Sequence, residues 1–401
     1  MRVLFEQLGA KVTWNGKTKT VKAVQAGTTI EMTVGSKTAK VNGKTVTMNV
    51  APRMEKSGVL IPVRFVSETL GMYVTYYAND RQVYVDKDTN IEGTTMAGVK
   101  ALYEKYKPRH RGEVYDEQPS FSGTFKAGKL KASFLQDAIN ATNFVREMAK
   151  LPTLTMDAQI NADTQIGTTV QAAQGGVTHN PIQASGMPND FYATGLQASK
   201  DSSLATTSKP GVENNFDNAL MRWTSDPQAS DLGHRKAVLD TRLKATGFGY
   251  SYNSSSSTDS ITVASIAMNE REITNSAFSG YDYISWPSKG YFPVEWTQKN
   301  MSFSVTLNPE KYDIKDSSTY SVKVTNKTTG SVFTPTYDEG ELYRHPASRG
   351  AGQTLSFQFR DENNYEDVPT PGTEYEVNIT GVTKTDGTPY PINYTVKFFA
   401  M

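Results

Sequence analysis

Thr178-His179-Asn180-Pro181 and, further along, Gly233-His234-Arg235-Lys236-Ala237-Val238-Leu239 with Gly247-Phe248-Gly249-Tyr250 are the stretches on which the fold turns. The chain holds 4 histidines in 401 residues, and two of them stand at these ordered positions. Imidazole is the side chain best suited to hold a metal or move a proton near neutral pH. The flanking sequence is helical in its spacing and then strand-like. Phe134, Ala138, Ala141, Val145 and Met148 recur at intervals of three and four, the stripe of an amphipathic helix, which Leu151-Pro152 ends. A second helix is expected over 156–173, with Ala162, Ile166, Val170 and Ala173 on one face and Gly175-Gly176 stopping it just before His179. A third, over 214–224, presents Phe216, Leu220 and Trp223, and a fourth begins near His234. Strands are expected at 247–252 and 260–268, with a polar turn over 253–258 between them. Helices around a small antiparallel sheet predict an α/β/α sandwich.

Toward the N-terminus the chain repeats itself. Arg2, Glu6, Leu8, Gly9, Val12 and Thr13 return as Arg64, Glu68, Leu70, Gly71, Val74 and Thr75. Each copy reads as a short helix, a Leu-Gly stop and a strand. Between the copies, 28–34 and 38–50 alternate as paired strands with turns at Gly35-Ser36 and Asn42-Gly43. The prediction is one small α+β module over 1–88. Residues 89–130 read as a linker with one short helix, Met96–Tyr106, and a solvated basic cluster around His110. Beyond Trp286 the pattern is that of strands. Phe303/Val305/Leu307, Tyr320/Val322/Val324, Leu355/Phe357/Phe359, Tyr375/Val377/Ile379 and Tyr394/Val396/Phe398 each alternate with polar residues, as in an all-β sandwich over 285–401. Trp286, Tyr291, Phe292 and Trp296 are expected to pack at the junction before it.

A net charge of +1, from 42 basic and 41 acidic residues, speaks against nucleic acid as the main partner, which needs a basic footprint. No apolar run approaches the ~20 residues of a membrane span. With 0 cysteines, disulfides, thiolate metal sites and a cysteine nucleophile are excluded. A richness in Thr, Ser, Asn, Gly and Tyr leans toward a secreted Gram-positive protein. Met1-Arg2-Val3-Leu4 opens no signal-peptide core, so the leader is expected to have been removed already.

Three resemblances refine this. Val41-Asn42-Gly43-Lys44-Thr45-Val46, Ile61-Pro62-Val63-Arg64-Phe65-Val66 and Leu70-Gly71 resemble the copper amine oxidase N-terminal-like domain, an accessory module of bacterial surface and secreted proteins. Residues 1–88 contain no His or Cys, so copper is not expected there. Within an expected domain over 131–284, residues 131–272 resemble the CAP superfamily, also called SCP-like, through Leu151-Pro152-Thr153-Leu154-Thr155-Met156-Asp157, His179, Ala219-Leu220-Met221-Arg222-Trp223-Thr224-Ser225 and the Gly233–Leu239 and Gly247–Gly249 stretches. Pro371-Gly372-Thr373-Glu374-Tyr375, Thr380-Gly381-Val382 and Asp386-Gly387 are similar to bacterial Ig-like domains. The multidomain chain is thus expected to be an α+β module, a CAP α/β/α sandwich and an Ig-like β-sandwich.

The CAP resemblance implies a cleft with two histidines, His179 and His234, and two acids. Asp226 matches one acid. Where a Gly-Glu-Asn motif should supply the other, the sequence has Gly195-Leu196-Gln197, and Glu213 in Gly211-Val212-Glu213-Asn214 is a weak substitute. Zinc or another divalent metal on His179 and His234 would therefore lack a third ligand and a general base. The alternatives are hydrogen-bonded cleft residues with no metal, loose metal binding, and a working hydrolytic site. A Ser-His-Asp triad through Ser225 or Ser230 is not expected, since no strand-turn-helix elbow surrounds either serine. His345 is expected in a solvated loop, and the acidic 360–367 stretch is a calcium candidate weighed against a solvated loop. The functional expectations are three: a binding module for a small lipid-like, glycan or protein ligand, a zinc hydrolase of peptide or cell-wall polymer, and a structural spacer or adhesin. All three place the chain outside the cell or on its wall.

Overall fold

The computed structural model describes residues 6, 9–77, 81–87, 91–207, 215–226, 231–258, 261–273, 280–313, 320–338, 341–346, 352–358 and 369–401. The chain divides into two compact units, 1–90 with 400–401, and 91–399. In the first, β1 (Lys11–Asn15), β2 (Thr20–Gln25), β3 (Thr28–Thr33), β4 (Thr38–Val41) and β5 (Lys44–Thr47) form an antiparallel meander in sequence order. The Asn42-Gly43 turn works because both residues take positive φ, 49° and 80°. Two hairpins follow, β6 (Arg53–Glu55) with β7 (Gly58–Leu60), and β8 (Tyr73–Tyr77) with β9 (Gln82–Asp86). The helix α1 (Val63–Thr69) lies between them. Ala23, Ile30, Met32, Ala39 and Val66 close the core. The module is β-rich rather than evenly α+β. Its repeat survives in the turns: the Gly9 amide binds the Glu6 carbonyl at 3.0 Å, and Gly71 binds Glu68 at the same distance. The helix expected in the first copy lies largely outside the described residues.

The second unit begins with α2 (Met96–Tyr106), capped by the Thr95 hydroxyl on the Gly98 amide. Its bounds are those read from the sequence, but the stretch around it is more than a connection. Helix α2 packs on α3 (Ala132–Met148), with Tyr103 edge-on to Phe144 at 5.9 Å. After the short pair β10 (Tyr115–Glu117) and β11 (Lys129–Leu130), the helical layer continues as α4 (Ala158–Gln174), α5 (Asn189–Lys200), α6 (Asn215–Ser225) and α7 (Gly233–Val238). The central sheet runs β12-β14-β15-β13, from β12 (Thr155–Met156), β13 (Ser202–Thr207), β14 (Leu243–Thr258) and β15 (Ile261–Ile273). The turn expected over 253–258 is instead strand: the β14–β15 ladder continues through Thr258–Ile261 after a register shift. Helix α5 and strand β13 carry no counterpart in the expectations.

Alternation along β14 makes three layers. Phe248 and Tyr250 are fully buried, meeting Phe216 and Phe134 at ring distances of 5.4 Å each. Burying each ring contributes roughly 1.5–3 kcal/mol. Gly247 and Gly249 face α4 so closely that a Cβ would stand 2.4 Å from the Ile160 carbonyl carbon and 2.4 Å from the Thr164 oxygen. Helices therefore lie on both faces of the sheet. Beyond the two residues that pair with β12, the β14 edge is closed by α4 side chains: Asn161 accepts from the Phe248 amide at 2.8 Å and Gln165 from the Tyr250 amide at 3.0 Å.

The rest of this unit is all β. One sheet runs β16-β18-β23-β22, from β16 (Tyr283–Trp286), β18 (Phe303–Leu307), β22 (Leu342–His345) and β23 (Thr354–Phe357). The other runs β17-β26-β24-β20-β21, from β17 (Gly290–Pro293), β20 (Ser321–Asn326), β21 (Val332–Phe333), β24 (Glu374–Thr380) and β26 (Ile392–Phe399), with β17 parallel to β26. A small pair, β19 (Tyr312–Asp313) with β25 (Thr383–Lys384), stands beside them. The alternating apolar residues are buried as the sequence implies, except that Tyr375 is half-buried and Phe359 lies outside the described residues, and Phe303 bridges the sheets to Tyr375 and Phe398 at 6.1 and 6.4 Å. Trp286, Tyr291, Phe292 and Trp296 are all buried, with Trp296 4.9 Å from Phe144 of α3. The opposite face of the first sheet carries Ser304, Ser356 and Thr354, equally buried.

Candidate functional site

His179 follows the end of α4, where Gly175 takes φ 83° and closes the helix. The loop is pinned by Gln171, fully buried, whose side-chain oxygen accepts from the Thr178 amide at 2.8 Å and whose amide nitrogen donates to the Thr178 carbonyl at 2.6 Å. The same nitrogen reaches the Ser199 hydroxyl at 2.8 Å. Ser199 in turn offers its carbonyl to His179 Nδ1 at 2.9 Å. A carbonyl only accepts, so Nδ1 carries a proton and, in the neutral ring, Nε2 holds the lone pair. The ring is exposed.

His234 is the second residue of α7. Two left-handed residues set its approach: Asp226, φ 42°, just past α6, and Leu232, φ 52°, before α7. Helix α6 is itself fixed by the buried Trp223, whose Nε1 donates to the Leu204 carbonyl of β13 at 3.0 Å. Asp226 Oδ1 lies 3.1 Å from His234 Nδ1, and Oδ2 accepts from the Arg235 amide at 3.4 Å. The Asp226 side chain is 5% exposed and that of His234 35%. The arrangement is a buried carboxylate orienting a partly exposed imidazole, with Nδ1 as donor.

Arg235, the next residue, faces the other way and is completely buried. Its guanidinium takes the Thr224 and Ser225 carbonyls at the end of α6, then crosses to the Ser302 carbonyl at 2.8 Å and the Ser304 hydroxyl at 3.0 Å on the β-sandwich. Burial lowers its pKa to about 10, partly offset by Asp226. Arg146 of α3 does the same for α7, reaching the Val238 and Asp240 carbonyls at 2.8 and 2.9 Å. Two buried arginines thus close two helix C-termini.

Of the residues expected at the site, the structure brings together His234 and Asp226, while His179 is held by Ser199. Glu213, Ser230 and the acidic 360–367 stretch lie outside the described residues. The Ser225 hydroxyl is buried without a hydrogen-bond partner, so it forms no triad with His234. Gly195 does not belong to a ligand motif. It lies inside α5, where a Cβ would stand 2.4 Å from Val170 Cγ2, so its place is set by helix packing. Among the described residues, no group of three or more His, Asp or Glu side chains could hold a metal ion. The described donors alone do not make the three-ligand set of a catalytic zinc.

Two expectations about the other histidines need correction. His345 is not in a solvated loop: it ends β22, is buried, and bonds Ser356 Oγ through Nε2 at 2.7 Å. Burial, then the Lys236 charge, pushes its pKa down to about 4. His110 is not freely solvated either. Its amide binds the Asp137 carboxylate at 2.8 Å, Nδ1 meets Ser133 Oγ at 2.8 Å, and the ring stands edge-on to Phe134. Sequence reasoning missed Gln171, Ser199 and Arg235. The available signal for Gln171 was a polar residue beside Val170 on the buried face of α4; for Arg235 there was none.

Comparison with known proteins bears on this geometry. Residues 139–266 match the cysteine-rich secretory protein family, CAP. The chain carries a CAP domain. Residues 1–85 match the copper amine oxidase N-terminal domain. No curated protein matches the chain. The CAP match spans α3 to β15 and includes His179, Asp226 and His234.

Proposed function

We propose that the CAP domain is a binding module, in which His179 and the His234–Asp226 pair line one cleft that receives a small amphipathic, lipid-like ligand. The observation that carries this reading is the hydrogen bond that His234, its ring one-third exposed, donates to the buried Asp226 carboxylate. Held through Nδ1, the exposed His179 imidazole presents Nε2 to a ligand head group, with the His234–Asp226 pair beside it in the same cleft. The protein acts outside the cell, at a Gram-positive wall, with 1–88 as an accessory module, 131–284 as the CAP domain and 285–401 as an Ig-like sandwich. The CAP match, the absence of cysteine and the two packed sheets support this placement.

The test is calorimetry of the whole chain with palmitate as the lipid-like probe. The reading expects saturable binding, weakened about tenfold or more in His179→Ala, His234→Ala and Asp226→Asn. Stoichiometric zinc retained through dialysis, with peptide hydrolysis lost in either histidine variant, would replace it with the hydrolase reading. Attachment to intact walls that survives both histidine variants, without palmitate binding, would replace it with a spacer or adhesin.

A further inference from the structure

The first sheet of the β-sandwich carries a buried polar row on the face turned to α7. Its register sets Ser304 opposite Ser356, and Thr354 opposite both Thr306 and His345. Residues directly opposite share a face, with Cβ atoms about 4.5–5.5 Å apart. The row thus runs from β22 through β23 to β18, and His345 stands at its end, 5% exposed. Helix α7 rests on it: Arg235 donates to the Ser304 hydroxyl at 3.0 Å. Arg235 and Lys236 also line, with Ser304, Thr306 and Thr354, a cavity of about 10 Å³. Such a space has room for no more than a single water.

The charged groups that act on the His345 ring, among the described residues, come from the α7 side of this seam. Lys236 and Arg235 belong to α7, and Asp231 and Asp226 precede it. On the ring's own strand, Tyr343 stacks against it at 6.3 Å, while Arg344 alternates to the opposite face and acts on Tyr320. Both carboxylates are already engaged. Asp231 accepts from the Gly233 amide at 3.0 Å, and Asp226 holds His234 and the Arg235 amide. The ring itself bonds a neutral group, Ser356 Oγ, at 2.7 Å. A proton on His345 would therefore add a third cation to Arg235 and Lys236, in a seam with little water to screen it.

We propose that His345 is an acid-sensitive latch between the sandwich and the CAP domain. Neutral, it lets α7 seat on the polar row. Protonated, it repels Arg235 and Lys236, which loosens α7 and with it the Asp226–His234 pair. The latch acts on His234 whatever that ring binds, so it stands apart from the binding function proposed above. Burial, then the Lys236 charge, holds the ring's pKa at about 4 in the closed state, against 6.5 for the free side chain. Closure is thus fully favoured above about 6.5 and is lost as pH falls toward 4. Between pH 7 and pH 5 the balance of closed to open shifts by about twentyfold.

Hydrogen exchange of the full chain and of its His345→Gln variant, at pH 7 and pH 5, tests the latch. Glutamine can bond Ser356 and carries no charge. The amides to follow are those of Lys236 and Leu239, which bond the Leu232 and Arg235 carbonyls along α7. On going to pH 5 they should lose about twentyfold in protection relative to the variant. At pH 5 they should also exchange faster than the Phe248 amide, through an opening that leaves the central sheet folded. An unchanged ratio between native chain and variant would overturn the latch. So would equal protection at α7 and Phe248, because His345 would then act only on global unfolding. Should His345→Gln fold poorly, ring NMR of the native chain decides. The His345 midpoint should lie near 4, with the His234 resonances responding at it. A midpoint near 6.5, or no response at His234, would equally overturn the proposal.

Discussion

At the scale of single residues, the chain repeatedly places ionisable groups where burial decides their state. Asp217, in the first turn of α6, is pushed up to about 7 by burial, with the Asp137 carboxylate adding to the effect. Its folded pKa is above the unfolded value of 3.8, so the native state binds the extra proton. Its contribution to stability is full below the unfolded pKa and is lost as pH rises from about 4 to about 7. Asp217→Asn removes that loss. The variant should be more stable than the native chain by about 1–2 kcal/mol at pH 8 and nearly equal to it at pH 4, as urea titrations at the two pH values will show. A constant difference at both pH values would mean that Asp217 is ionised throughout. His345 has the opposite sign: its folded pKa is depressed, so protonation between about 6.5 and about 4 favours the unfolded chain. Neither group could be found from sequence. A first-turn Asp looks like an ordinary helix-end acid, and a Tyr-Arg-His-Pro run looks like a loop.

Among elements, the periodic helices were legible and the exceptions have physical causes. α3, α4 and α6 end within about two residues of the bounds expected from their apolar stripes, as capping ambiguity allows. Helix α5 was missed because Gly195 interrupts its pattern, yet that glycine is what lets α5 lie against Val170 of α4. The polar 253–258 stretch suggested a turn because it lacks apolar residues to alternate, although the ladder needs only backbone partners there. The Gly-Phe-Gly-Tyr run was legible as a strand, but not its reason: small residues toward α4 and aromatic residues toward α3 and α6. Gly249→Ala would force α4 off the sheet, because the Cβ meets backbone oxygen rather than a movable side chain. The expected loss is about 2–3 kcal/mol, read as a lower urea midpoint with an unchanged slope. A stability within about 0.5 kcal/mol of native would show that the helix–sheet spacing is not set by this glycine.

For the molecule as a whole, the CAP domain and the β-sandwich share one interior. Arg235 ties the end of α6 to β18, and Trp296 packs on α3. The sequence showed two patterns, helical then strand-like, and implied separable domains; a single buried arginine crossing between them leaves no periodic trace. Arg235→Met should lower the stability of the 91–399 unit by about 3 kcal/mol, since it strands two helix-end carbonyls, and both the CAP tryptophan Trp223 and the sandwich should report the same unfolding midpoint. Separate midpoints in the native chain would mean that the two regions are not coupled. The functional claim also lives at this scale, because the two imidazoles come from distant segments and are turned the same way, Nδ1 inward to an acceptor. Long-range proton–nitrogen NMR of the imidazoles at alkaline pH measures this directly. The account predicts that His179 and His234 are both in the Nδ1–H form, the minor tautomer of free histidine, with an unprotonated Nε2. Finding the Nε2–H form at either ring would contradict it.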